Sequence, residues 1–77
     1  MATLEAANCV QQIGETAGDV WRLLSEESEP VSLAQLVKRI DQPRDLIMQA
    51  VGWLAREGKV QIEENGRTRY VALAQGE

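Results

Sequence analysis

Apolar residues recur along the first third of the chain at helical spacing. Ala6, Val10, Ile13, Ala17, Val20 and Leu24 stand 4, 3, 4, 3 and 4 residues apart, the pattern that lines one face of an α-helix. Trp21 and Leu23 broaden that stripe. Thr3 is the candidate N-cap, with Glu5 in the first turn, where an acid complements the helix dipole. The spacing predicts a helix from about Thr3 to Glu27. Gly14 and Gly18 stand inside it, each costing about 1 kcal/mol relative to alanine. Two readings are open: they let another helix approach closely, or Gly14 marks a break with Thr16 near the true start.

Glu29-Pro30 ends this helix, because the residue before a proline is pushed out of the α region. Val31 then begins a short extended piece. Ser32-x-x-Gln35 is a capping box ahead of Leu33, Leu36, Val37 and Ile40, so a second, short helix is expected near Leu33 to Ile40. It shows Gln35, Lys38 and Arg39 to solvent. Pro43 suits the first position of a third helix, with Asp41 or Gln42 as its cap and Asp45 in its first turn. That helix runs to about Glu57 and stops at Gly58 in a left-handed conformation. On a helical wheel Leu46, Ile47, Ala50, Val51, Trp53 and Leu54 fill one side, and Asp45, Met48, Gln49, Gly52 and Arg56 the other. Two short helices joined this tightly make a helix-turn-helix.

The runs "KVQIEE" and "RTRYVAL" flank Asn65-Gly66, the strongest short-range signal for a β-hairpin. If those two residues form a type I′ turn, Glu64 faces Arg67 and Ile62 faces Arg69. Val60, Ile62, Val71 and Leu73 then share the core face, with Gln61 and Tyr70 outside. A three-residue turn would instead put Val60 beside Tyr70, and the alternation alone leaves the register open. The tail from Ala74 to Glu77 is expected to fray.

Composition narrows the chemistry. The 77 residues suit a single small domain spanning 1–77, with its core over about 9–73. The only cysteine is Cys9, expected as a small buried apolar residue, and histidine is absent. These counts remove zinc fingers, Cys/His nucleophile pairs and Ser-His-Asp triads, and no glycine spacing matches a nucleotide-phosphate loop. No enzyme, cofactor or metal is expected. Short apolar runs and the lack of a signal peptide point to a cytoplasmic protein with no membrane partner. The net charge of −4 is uneven. Residues 1–37 carry six acids and one base, whereas residues 38–77 carry seven bases and six acids. An acidic flank opposite a base-containing side is compatible with a nucleic-acid face without requiring one.

The order helix, short strand, helix, helix, strand, turn, strand, together with "VSLAQLVKRI" and "RDLIMQAVGWLAREGKV", resembles the winged helix-turn-helix superfamily. More narrowly, "CVQQIGETAGDVWRLL" and "AVGWLAREGKVQIEE" resemble a family of small stand-alone prokaryotic winged-helix domains of unknown function. The resemblance covers about Cys9 to Leu73 and implies an α+β fold of three helices with a C-terminal hairpin wing. It also implies, as the superfamily's habit, double-stranded DNA as partner and a role in transcription. The third helix (43–57) is then the recognition helix and the hairpin (59–73) the wing. Carried onto this chain, the positions facing DNA include Arg44, Asp45, Met48, Gln49, Gly52 and Arg56. Gln49 suits adenine, and Arg44 or Arg56 suits guanine or phosphate. Lys38 and Arg39 are placed to touch the backbone, and Arg67 and Arg69 at the wing tip to touch phosphates or a minor groove.

Against this, Arg67 and Arg69 beside Glu63 and Glu64 read equally as cross-strand charge pairs. An exposed Met48 next to an exposed Gly52 also suits a close protein contact. The alternative function is therefore a homodimerisation or protein-interaction module that does not bind DNA.

Overall fold

The computed structural model describes residues 6–74 and the side chains of residues 8–74. Its elements are α1 (Ala6–Ser25), β1 (Val31–Ser32), α2 (Leu33–Arg39), α3 (Arg44–Arg56), β2 (Val60–Asn65) and β3 (Thr68–Leu73). The strands form an antiparallel sheet in the order β1-β3-β2. This is the three-helix, winged arrangement the sequence predicts. The expected Thr3 cap and Glu5 lie outside the described residues.

Local chemistry accounts for most boundaries. The helix α1 passes through Gly14 without a break. The space that glycine leaves is used: a methyl group at Gly14 would stand 3.4 Å from Cζ3 of Trp53. At the start of α2, the Ser32 hydroxyl accepts the Gln35 N–H at 3.1 Å, the N-cap half of the expected capping box. The third helix departs from expectation at its start. Its N-cap is Pro43, whose carbonyl accepts the Ile47 N–H at 3.1 Å, and neither Asp41 nor Gln42 caps it. Proline's fixed φ of −59° with an extended ψ of 146° suits a residue half inside the helix. The other end closes as a Schellman motif. Gly58 sits at φ +76°, its N–H donates to the Ala55 carbonyl, and the Lys59 N–H donates to the Leu54 carbonyl.

The wing turn also differs from the expected one. The strands β2 and β3 pair Asn65 with Thr68, Glu64 with Arg69, Ile62 with Val71 and Val60 with Leu73. The two loop residues are therefore Gly66 and Arg67, not Asn65 and Gly66. Gly66 has φ +67°, and among the described residues no non-glycine residue has positive φ. A type I′ turn needs two positive values, whereas type II′ needs glycine at the first central position only. Moving the loop by one residue shifts each cross-strand partner by two, so every side chain keeps its face. Ala74 continues the pairing, its N–H donating to the Lys59 carbonyl at 2.9 Å.

The core gathers Ala17, Val20 and Leu24 of α1, Leu36 of α2, Ile47, Ala50, Val51 and Leu54 of α3, and Val31, Val60 and Val71 of the sheet. Ile40 closes it after α2. Four residues placed in or near the core by periodicity lie outside it: Val10, 65% exposed, Trp21, Trp53 and Ile62. Cys9, expected to be buried, is exposed too. Val10 and Trp53 instead border a small apolar hollow with Ile13 and Gln49, at the margin of the α1–α3 contact.

Candidate nucleic-acid interface

The helix-turn-helix and the wing carry every residue proposed to touch DNA. Tight burial of Ile47, Ala50, Val51 and Leu54 fixes the roll of α3, and that roll leaves Arg44, Asp45, Gln49, Gly52 and Arg56 exposed. Met48 is half-buried and packs against the core, so the exposed methionine expected from the wheel is not there. Gln49 and Arg56 are two turns apart, about 10 Å along the axis. The exposed charge of α3 is two arginines against one aspartate.

The seven candidate residues divide by partner. Arg39 reaches back to Glu27 at 2.9 Å, tying the end of α2 to the segment after α1. Arg69 meets Glu64 across the hairpin at 3.3 Å, a pair the ladder register creates. Lys38, Arg44, Arg56 and Arg67 have no acidic partner among the described residues. The remaining bases are also paired: Arg22 with Asp19 at 3.2 Å, and Lys59 with Glu57 at 3.7 Å. Of the eight basic residues, then, four are neutralised locally. The other four all lie on α2, α3 or the wing loop. Gln49 is exposed and lines a small apolar hollow with Val10, Ile13 and Trp53.

The sequence pointed to Gly14 and Gly18 of the neighbouring face but placed Trp53 on the buried side. Trp21 and Trp53, 46% and 44% exposed, lie with Gly14, Ala17 and Gly18 along a groove between α1 and α3. The available signal was Trp53's place at the margin of the α3 wheel, where a large ring reaches past the core. Among the described residues, no group of three or more Cys, Asp or Glu side chains gathers to hold a metal ion. No helix among them is long and apolar enough to cross a membrane.

This topology, with a capped α2, a rigidly seated α3 and a hairpin beside it, defines a winged helix-turn-helix protein. The chain belongs to the family described as "Winged helix-turn-helix domain (DUF2582)", which matches residues 9–73. It is similar to the uncharacterized protein MJ1608 of Methanocaldococcus jannaschii, with 29% identity over 63 residues, covering 80% of this chain and 90% of that one. Among solved structures it resembles the ArsR family transcriptional regulator RHA00566, with a TM-score of 0.60 and 22% identity, over 95% of this chain and 76% of that one. It also resembles HlyU from Vibrio cholerae N16961, with a TM-score of 0.62 and 17% identity, over 95% and 83% of the two chains. At these identities the two structures speak to the fold.

Proposed function

We propose that the protein is a DNA-binding, transcription-related regulator of the prokaryotic cytoplasm that sets α3 in the major groove and the wing tip against the backbone. Its role on this reading is binding rather than catalysis, with no cofactor. The observation that carries the reading is the division of the basic side chains. All four without an acidic partner (Lys38, Arg44, Arg56 and Arg67) stand on the elements that a winged helix presents to DNA. The fold shared with the ArsR family regulator adds support.

In this arrangement Arg44, Arg56, Lys38 and Arg67 supply phosphate contacts, and Gln49 is the side chain suited to an adenine edge. Arg39 and Arg69 contribute less, because each must first leave a carboxylate. The four unpaired cations set the scale of the salt dependence. At about 0.9 log unit per neutralised phosphate, they should make log K fall by about 3.6 per log unit of salt. Fluorescence anisotropy with mixed-sequence duplex DNA at several salt concentrations tests this. Replacing Arg56 or Arg67 by alanine should cut the salt slope by nearly one unit, and replacing Arg69 by clearly less. Absence of any salt-sensitive binding to duplex DNA would refute the reading.

A further inference from the structure

We propose that Asn65 is a self-modifying site, at which the folded wing tip converts its own asparagine to aspartate and isoaspartate. The turn falls on Gly66-Arg67 and leaves Asn65 as the last residue of β2. Its positive φ comes from Gly66 alone, so the turn gives no reason for an asparagine at 65. Asn65 is exposed. Among the described residues its side-chain amide has no hydrogen-bond partner, and the Gly66 N–H has no backbone acceptor. Gly66 has no Cβ to shield that nitrogen, and nothing lies within 4 Å of where one would stand. A single ladder pair, Asn65 with Thr68, separates the residue from the turn. The end of a hairpin is where a ladder opens most easily.

The reaction needs water and no other co-reactant. When the end pair opens and ψ of Asn65 rotates, the Gly66 backbone nitrogen reaches Cγ of Asn65. A Cγ–N bond forms and the Cγ–Nδ2 bond breaks. The side-chain NH2 leaves as ammonia, taking the Gly66 amide proton with it. Water then opens the cyclic imide at either carbonyl. Opening at Cγ gives aspartate. Opening at the backbone carbonyl gives isoaspartate, whose main chain runs through the former side chain and breaks the strand's alternation. Either product sets a carboxylate at the tip, two residues from Arg67 and opposite Thr68. Asn8, the other asparagine of the chain, provides an internal control. The ladder of α1 fixes its backbone, and the following nitrogen belongs to Cys9, which has a Cβ.

The conversion does not rest on the DNA reading; only its effect on binding does, through the carboxylate added near Arg67. The test incubates the full folded chain in mildly alkaline buffer and follows peptide masses and isoaspartate content. The peptide holding Asn65 should gain the mass of an amide-to-acid exchange, and the peptide holding Asn8 should not. Asn65→Gln should abolish the gain. Gly58→Ala separates opening of the tip from unfolding of the whole domain, because Gly58 lies at the far end of the hairpin. The rate at Asn65 should be unchanged in this variant, whereas conversion through global unfolding would rise on the order of tenfold. A folded chain that keeps Asn65 intact, while the chain unfolded in urea converts, overturns the proposal. So does a rate that rises with Gly58→Ala, or equal conversion at Asn8. On duplex DNA, Asn65→Asp should lower the salt slope by up to about 0.9, the share of one phosphate. If the chain converts and binds no DNA, the modification stands and the DNA reading alone fails.

Discussion

The helices α1 and α3 carry apolar stripes of the same period and bury them to different extents. In α3 the stripe of Ile47, Ala50, Val51 and Leu54 is enclosed along its whole length. In α1 only the C-terminal half, Ala17, Val20 and Leu24, is enclosed, and Val10 on the same stripe is mostly in solvent. Periodicity states which face of a helix turns inward. How much of that face is covered depends on how the elements opposite it pack. Here Val10 borders a hollow with Gln49 and Trp53 of α3 and is not enclosed by it.

The comparison can be broken most forcefully at its buried end. Ile47→Ala should cost about 2–5 kcal/mol, a large part of the stability of a domain this small. Val10→Ala should stay within about 0.5 kcal/mol in dilute solution. Equal effects in urea unfolding would mean that the N-terminal half of α1 is covered after all. The next effect concerns how α3 is held at its end. Gly58→Ala forces a side chain into the left-handed region at φ +76° and should cost about 1–2 kcal/mol.

A smaller and opposite effect separates the two glycines of α1. Gly18→Ala should stabilise the dilute monomer by about 1 kcal/mol, since the new methyl meets nothing. Gly14→Ala should gain less, because its methyl must fit 3.4 Å from the Trp53 ring. Thermal melting of both variants at low protein concentration checks this. A larger gain for Gly14→Ala would show that the ring does not rest on α1.

The candidate DNA face was legible by residue type and only partly by availability. That Lys38, Arg44, Gln49 and Arg56 would point outward followed from the wheels of α2 and α3, because core burial fixes the roll of each. Whether a given base was free did not follow. Arg39 is occupied by Glu27, twelve positions away in sequence. Arg69 is occupied by Glu64 only because the wing turn falls on Gly66-Arg67 and not on Asn65-Gly66. The Arg39 pair depends on how separate elements meet, which no local pattern encodes, whereas the Arg69–Glu64 pair is one of the cross-strand pairs the hairpin sequence offered.

Read alone, the amino-acid sequence determined the kinds of elements, their order and most of their ends. Those features rest on interactions between near neighbours in the chain: the Ser32 cap, the rigid ring of Pro30, the left-handed Gly58, and strand alternation that survives a two-residue change of register. Tertiary structure decided the start of α3, the hairpin partners, which arginines are neutralised, and the exposure of Val10, Cys9 and Trp53. Those features turn on the packing of elements far apart in sequence, and residue spacing holds no measure of it.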